Sequence, residues 1–497
     1  MNSTALLDTN GIIFMGIYLA SLIFVGLAGR FYRKDDSMSD FYLGGRSMGL
    51  FVLFLTLYAT QYSGNTMIGF AGKSYRQGYC FIVSVTFMIS VIAAYLIYAP
   101  KLYELSRKYK FITIGDYIQN RFGSRLLTII VTSICIIALG NYILSNLKAI
   151  GYIVVTSTGG RVSFTHGIII VSVIMIIYET LGGMRSVAWT DVIQGILLLV
   201  GCLFIFGIIQ YQYGGLAASA KEMITSYPQL WEPPDAEQKR FWLSSIIIFF
   251  FGISIYPQAI QRIYAAKDSR TLKRSFQIMA FMPLVTTFFM FIVGVIGITK
   301  FQGLDKQRSE QIALLLLNDI AQHIPGVKIF IVLFISAAVA AIMSTVDSAL
   351  LAISSLFTQD IYRPIRPSVS QKHLTSTGKI FSWIIMGFMA YLAMILPQTI
   401  WKLIEIKLEI LCQVSPAIFL GVHIKTLRCN AILYGIIIGV CVTLFLLGAN
   451  MMGLPIPSKP WGIHAGVYGL AVNFLTIGLV SLRNRQTKNS DQLAMNN

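Results

Sequence analysis

Charged side chains are scarce in this 497-residue sequence, at 12% of the chain against about 25% in a soluble globular domain. With 56% hydrophobic residues and a mean hydropathy of +0.70, that shortage excludes a soluble fold and makes the chain a polytopic membrane protein. Acid is the scarcer sign: 21 Asp and Glu stand against 39 Lys and Arg, a net charge of +18. The excess does not point to nucleic acid, because the basic residues come in short clusters between apolar runs, as they do in cytoplasmic loops. His166, His323, His373, His423 and His464 are too few and too scattered for a metal or nucleophile constellation, and no phosphate-binding loop pattern occurs. Without converging catalytic groups the sequence does not read as an enzyme. Cys80, Cys135, Cys202, Cys412, Cys429 and Cys441 lack paired spacing and read as reduced packing residues. No basic stretch precedes the first apolar run, 11–29, while Arg30, Arg33 and Lys34 follow it. That run is expected to stay as a first helix with its N-terminus outside.

Long apolar runs are what the sequence has in abundance, and one organises the rest. Residues 334–362 read as a hydrophobic helix whose middle carries Ala341-Ile-Met-Ser-Thr-Val-Asp-Ser348. Ala341, Ser344, Thr345 and Ser348, spaced i, i+3, i+4, i+7, share one face. Hydroxyl and carbonyl oxygens there suit a hard, weakly bound cation such as Na⁺, since soft ligands are absent and a hydroxyl carries no full charge to trap the ion. Equally, these side chains can bond back to their own helix or ease helix packing. The residues alone leave both readings open.

A run at 50–72 contains Ala59-Thr-Gln-Tyr-Ser-Gly-Asn-Thr-Met-Ile-Gly69. Poor helix formers sit at its centre, and lipid-exposed backbone around Gly64 would be costly. An unwound segment lining a cavity is expected, its freed carbonyls being candidate ion ligands; a simple kink is the alternative. Within Phe249-Phe-Phe-Gly-Ile-Ser-Ile-Tyr-Pro-Gln-Ala-Ile-Gln-Arg262, Gly252 and Pro257 break a second helix midway. Two interrupted helices at matching places in two halves point to an inverted-repeat transporter with its site at the midplane. Between them, Gly182-Gly183 leads into a helix whose first turns hold Thr190, Asp191 and Gln194, where the ordinary reading of Asp191 is a cap. On 401–410, Lys402, Glu405 and Glu409 share a face. They read either as functional intramembrane charges or as an ion-paired outer end of the helix.

Further apolar runs lie at 81–99, 126–155, 166–181, 187–211, 242–264, 276–299, 327–357, 380–396, 401–424, 431–452 and 464–482. With the first two they make about thirteen spans of ~20 residues. Starting outside, the clusters Arg107/Lys108/Lys110/Arg121/Arg125, Lys267/Arg270/Lys273/Arg274, Arg363/Arg366/Lys372 and Arg483/Arg485/Lys488 all fall in the cytoplasm. The expected layout is one transmembrane domain over 1–482 and a cytoplasmic tail at 483–497.

Arg46-Ser-Met-Gly49, Ala59-Thr60 with Ser63, Tyr178 with Gly182-Gly183, Trp189-Thr-Asp191 with Gln194, Gln261-Arg262, and Ala341 to Ser348 followed by Asp360-Ile-Tyr362 together resemble the sodium:solute symporter family, which includes proline, pantothenate and sugar symporters. The resemblance runs over about 11–480. It implies an all-α polytopic fold with a leucine-transporter-type five-plus-five inverted-repeat core at about 49–424, one helix (11–29) before it and two (431–482) after. It implies a Na⁺ site on the backbone carbonyls of Ala59, Tyr62 and Ala341 and the hydroxyls of Ser344 and Thr345. A second Na⁺ site, present in some members, falls near Asp191, Thr345 and Ser348, with Asp347 standing where some members carry a small residue. The solute then lies between the broken helices, near Gln61, Ser63, Thr66, Phe249, Ile253 and Tyr256. The implied activity is Na⁺-coupled import of a small organic solute (an amino acid, a pantothenate-like carboxylate or a sugar) by alternating access, across the plasma (inner) membrane, in a functional monomer. A transporter-fold sensor would need an appended signalling domain, and the tail is short. A channel would show flux that neither saturates nor keeps stoichiometry with Na⁺.

Overall fold

The computed structural model describes residues 6–33, 35–63, 65–324, 328–396, 400–449 and 452–495. Lys34, Gly64 and Val327, each used in the sequence reading, lie outside them. The described residues are overwhelmingly helical, and their one isolated β-type pairing joins Met48 to Ala266. Eleven helices among them are long and apolar enough to cross a membrane, from Thr9–Phe31 to Ala465–Arg483. Two of the thirteen expected runs, 50–72 and 401–424, are not among those eleven, and both are cut into pieces. The first consists of Leu50–Gln61, a wide π-type turn at Asn65–Phe70, and Ala71–Gln77. The other is Ile400–Leu411, a tight turn at Cys412–Val414, and Ser415–His423. No single piece reaches the ~20 residues of an unbroken span, so each run would cross only as a broken path.

The most enclosed element is the central helix, Lys328–Leu356, in which every residue from Phe334 to Leu356 is buried. It packs against Arg125–Ser157 and Met184–Tyr213. Around this core, large apolar side chains such as Ile17, Phe24, Trp383 and Leu479 face outward, as lipid contact requires. Because acyl chains are as apolar as leucine, helix association here relies on close fit rather than on a hydrophobic drive. Gly26 shows the fit: a Cβ there would stand 2.6 Å from Cβ of Tyr178, so Thr9–Phe31 meets Phe164–Gly182 only because glycine leaves that space.

A backbone clasp ties the two broken helices together at one end. The Met48 N–H donates to the Ala265 carbonyl (3.1 Å) and the Lys267 N–H to the Met48 carbonyl (3.0 Å). The start of the first broken path is thereby pinned to the end of the second, and both run from that clasp into the core.

Candidate ion and solute site

The leading helix of the first broken path stops at Gln61, and Tyr62 takes extended angles (φ −103°, ψ 98°). The Tyr62 N–H still donates to the Tyr58 carbonyl (2.9 Å). Beyond that bond, no backbone amide among the described residues closes on the carbonyls of Ala59 or Tyr62. The second break follows Ala236–Gly252. A tight turn at Ile253–Ile255 leads to Tyr256 (φ −54°, ψ 124°), and Pro257 opens Pro257–Ala265. Proline suits that first helical position because its missing N–H would have had no helical partner.

The central helix carries its small polar residues against the first break. Thr60 and Ser348 hydroxyls are 3.4 Å apart, across 288 residues of sequence. Thr345 donates its hydroxyl to the Ala341 carbonyl (2.9 Å), so two oxygens of the expected Na⁺ set lie side by side. Ser344 donates to Asp191 (2.6 Å). With both hydroxyl protons committed, lone pairs remain on each oxygen for a cation. Back-bonding and ion binding, which the sequence left as alternatives, are therefore compatible here.

Asp191 is not a helix cap. Its helix, Met184–Tyr213, begins after Gly183, leaving Asp191 two turns inside and fully buried. There it forms an ion pair with Arg262 (2.8 Å), both side chains at 0% exposure, and accepts a short bond from Thr56. The guanidinium also donates to Ser348 (2.5 Å), Thr56 (2.8 Å) and the Gln258 carbonyl (3.1 Å). One planar fork thus holds the first broken helix, the second broken helix, the central helix and Met184–Tyr213 in register. Asp347, beside Ser348, accepts from the Tyr178 hydroxyl (2.6 Å) and from the Ser348 amide (2.7 Å). Of the set expected to form a second Na⁺ site, Asp191 and Ser348 therefore meet around Arg262, while Asp347 turns to Tyr178.

Part of the expected solute set also converges. The Tyr142 hydroxyl, from Arg125–Ser157, engages the side chains of Ser63 and Thr345, and its ring lies 5.5 Å from that of Tyr256. Phe249 packs on Phe87 with ring centres 3.9 Å apart, and Phe70 of the first path packs on the same ring. The Ile253 carbonyl accepts from Tyr95 (3.3 Å). Thr66 is buried and its amide closes on the Ser63 carbonyl (2.8 Å); the Gln61 amide nitrogen is buried with no hydrogen bond among the described residues. Among the described residues, neither has a recorded hydrogen bond to the second broken helix. Between the Tyr142 and Tyr256 rings stands the ammonium of Lys407, which sequence reasoning passed over together with Tyr142, Thr56 and the pairing of Arg262.

The charges singled out on 401–410 sort differently. Glu405 pairs with Lys459 (2.6 Å) and Glu409 with His464 (3.0 Å). Both carboxylates are thus paired with the segment that leads into the last helix, as the ion-paired alternative expects.

Residues 41–439 match the family described as Sodium:solute symporter family. The sodium/pantothenate symporter of Escherichia coli (strain K12) is 28% identical over 67% of this chain and 68% of its own length. The high-affinity proline transporter PutP of Bacillus subtilis (strain 168) is 26% identical over 91% of this chain and 94% of its own. Among solved structures, a Na⁺-coupled sialic acid symporter in a substrate-bound outward-open state aligns with a TM-score of 0.77 at 21% identity, covering 95% of this chain and 98% of that one. That likeness is one of fold, and with it the leucine-transporter-type arrangement implied by the sequence holds.

Proposed function

The chain belongs to the sodium:solute symporter family, and from that premise we propose that it imports a small organic carboxylate with one Na⁺ per cycle by alternating access. The observation that carries the reading is the meeting of the unwound first helix with the central helix at Thr60 and Ser348: the carbonyls of Ala59 and Tyr62, which accept no backbone amide among the described residues, belong to one, and the Ala341, Ser344 and Thr345 oxygens to the other. In this reading those five oxygens hold the ion, and movement of one broken path against the central helix opens or closes the site. An inward Na⁺ gains about 2.3 kcal/mol per 100 mV, and a tenfold gradient adds about 1.4 kcal/mol. Together these support accumulation of several hundredfold per ion.

The solute lies between the breaks, against Ser63, Phe249, Ile253 and Tyr256, with Gln61 and Thr66 lining the side of the first path. Pantothenate, proline and sialic acid, the solutes named for the similar proteins, all carry a carboxylate, which favours an acid over a sugar. A second Na⁺ on Asp191, Thr345, Asp347 and Ser348 would compete with Arg262 for Asp191 and Ser348, so one ion is the stoichiometry put forward. A Hill coefficient near one for Na⁺ is expected, and a value near two rejects it.

The direct test is uptake of labelled proline, pantothenate and a neutral sugar into proteoliposomes under an inward Na⁺ gradient. At least one acid should accumulate, falling at least tenfold when K⁺ replaces Na⁺. Uptake that ran equally on K⁺, or that did not saturate, would reject coupled transport. The basic clusters favour a C-terminus in the cytoplasm and an N-terminus outside the plasma membrane. An impermeant thiol reagent should then reach Glu232→Cys only from outside and Ser368→Cys only from inside, both positions being exposed.

A further inference from the structure

We propose that the ammonium of Lys407 is the group that recognises the solute, by pairing with its carboxylate. This deepens the symport reading and rests on it. Lys407 lies on Ile400–Leu411 and is 2% exposed. Its ammonium stands 3.3 Å from the centre of the Tyr142 ring and 4.6 Å from that of Tyr256. Among the described residues it makes no ion pair and no hydrogen bond. Elsewhere in the interior, cations have partners: Arg262 has Asp191, Arg185 has Asp40, and Lys148 reaches the Leu396 carbonyl. Two aromatic faces attract a cation, but they do not replace its hydration or satisfy its three N–H donors. A buried amine in that condition holds its charge only beside an anion.

The position fits a solute. Tyr256 is the turning point of the second break, and Tyr142 reaches Ser63 at the first break and Thr345 of the Na⁺ set. Lys407 therefore stands where both interruptions face each other, beside the residues expected to hold the ion. Gly252 lets it get there: a Cβ at Gly252 would lie 3.2 Å from the Leu408 carbonyl oxygen, so Ala236–Gly252 closes on Ile400–Leu411 at a glycine. A carboxylate entering between the breaks would accept two of the ammonium's N–H bonds and neutralise it. Hydroxyls of a sugar would leave the charge uncompensated, which turns Lys407 into a filter for acids. Because Tyr142 touches both Thr345 and the Lys407 cage, an acid and a Na⁺ bound together share one residue.

The test uses purified full-length protein in nanodiscs, with labelled proline and pantothenate as probes and their uncharged head-group counterparts, prolinamide and panthenol, as competitors. Wild type should bind one acid in a Na⁺-dependent way and prefer it over its counterpart by at least 30-fold. Lys407→Met should lose that preference, and Lys407→Arg should keep part of it. A Na⁺-induced thermal shift checks that each variant is folded. If Lys407→Met does not fold, the wild-type preference and Lys407→Arg still decide. Wild-type affinity for the acid in folded Lys407→Met, or a wild type that takes only neutral solutes, overturns the proposal and leaves symport standing. A wild type with neither a Na⁺-induced shift nor Na⁺-dependent binding overturns both.

Discussion

Arg262→Met lowers the stability of the folded transporter by about 3–5 kcal/mol, the cost of stranding one member of a buried ion pair, and abolishes uptake. Both Arg262 and Asp191 have no exposure, so no water enters to solvate the carboxylate once its partner is gone. The loss spreads further, because the same guanidinium holds Thr56, the Gln258 carbonyl and Ser348. Arg262→Lys does not rescue, since a single ammonium cannot reproduce a planar fork with four partners. Asp191→Asn combined with Arg262→Met should recover much of the stability, as removing both charges also removes the desolvation penalty of each. Thermal unfolding in detergent across this cycle measures the coupling. Singles within about 1 kcal/mol of wild type, well below the buried-pair range, would show that the pair does not hold the four helices together.

The same network shows what was legible in the sequence and what was not. The face of Ala341, Ser344, Thr345 and Ser348 could be read from helical spacing, because those partners lie on one element. Arg262 could not be given its role that way: Asp191 is 71 residues distant, and only tertiary packing brings them together. Asp191 read as a cap because the helix start was placed too near it; with Gly183 at the start, its side chain has the core rather than an orphan N–H before it. Lys407 was missed for a geometric reason. It lies two residues from Glu405 and from Glu409, which places it about 200° around the helix from each, at 3.6 residues per turn. Reading the acidic face selected the side that pairs with Lys459 and His464 and ignored the side that meets Tyr142. The break in 50–72 was legible from the poor helix formers around Gly64. The turn at Cys412–Val414 that divides 401–424 was not expected, because that run shows only its apolar length.

Ser344→Ala with Thr345→Ala should raise the Na⁺ concentration for half-maximal uptake by roughly 100-fold or more, while leaving protein yield near normal. Each hydroxyl contact to a charged group is worth about 1.5–3 kcal/mol, and two of five oxygens disappear. The protein yield survives because the lost bonds leave no stranded partner of the Arg262 kind. Thr345 merely returns a lone pair to the Ala341 carbonyl, whose backbone bonding in the helix remains. Asp191 loses Ser344 but keeps Arg262 and Thr56. Thr345→Ser retains the oxygen and should stay within about threefold of wild type, a difference below 1 kcal/mol; this separates loss of an ion ligand from loss of helix packing. The measurement is initial uptake against Na⁺ concentration at saturating solute. An unchanged Na⁺ dependence in the double variant would move the ion away from the central helix, and Thr345→Ser as damaging as Thr345→Ala would assign the residue to packing instead.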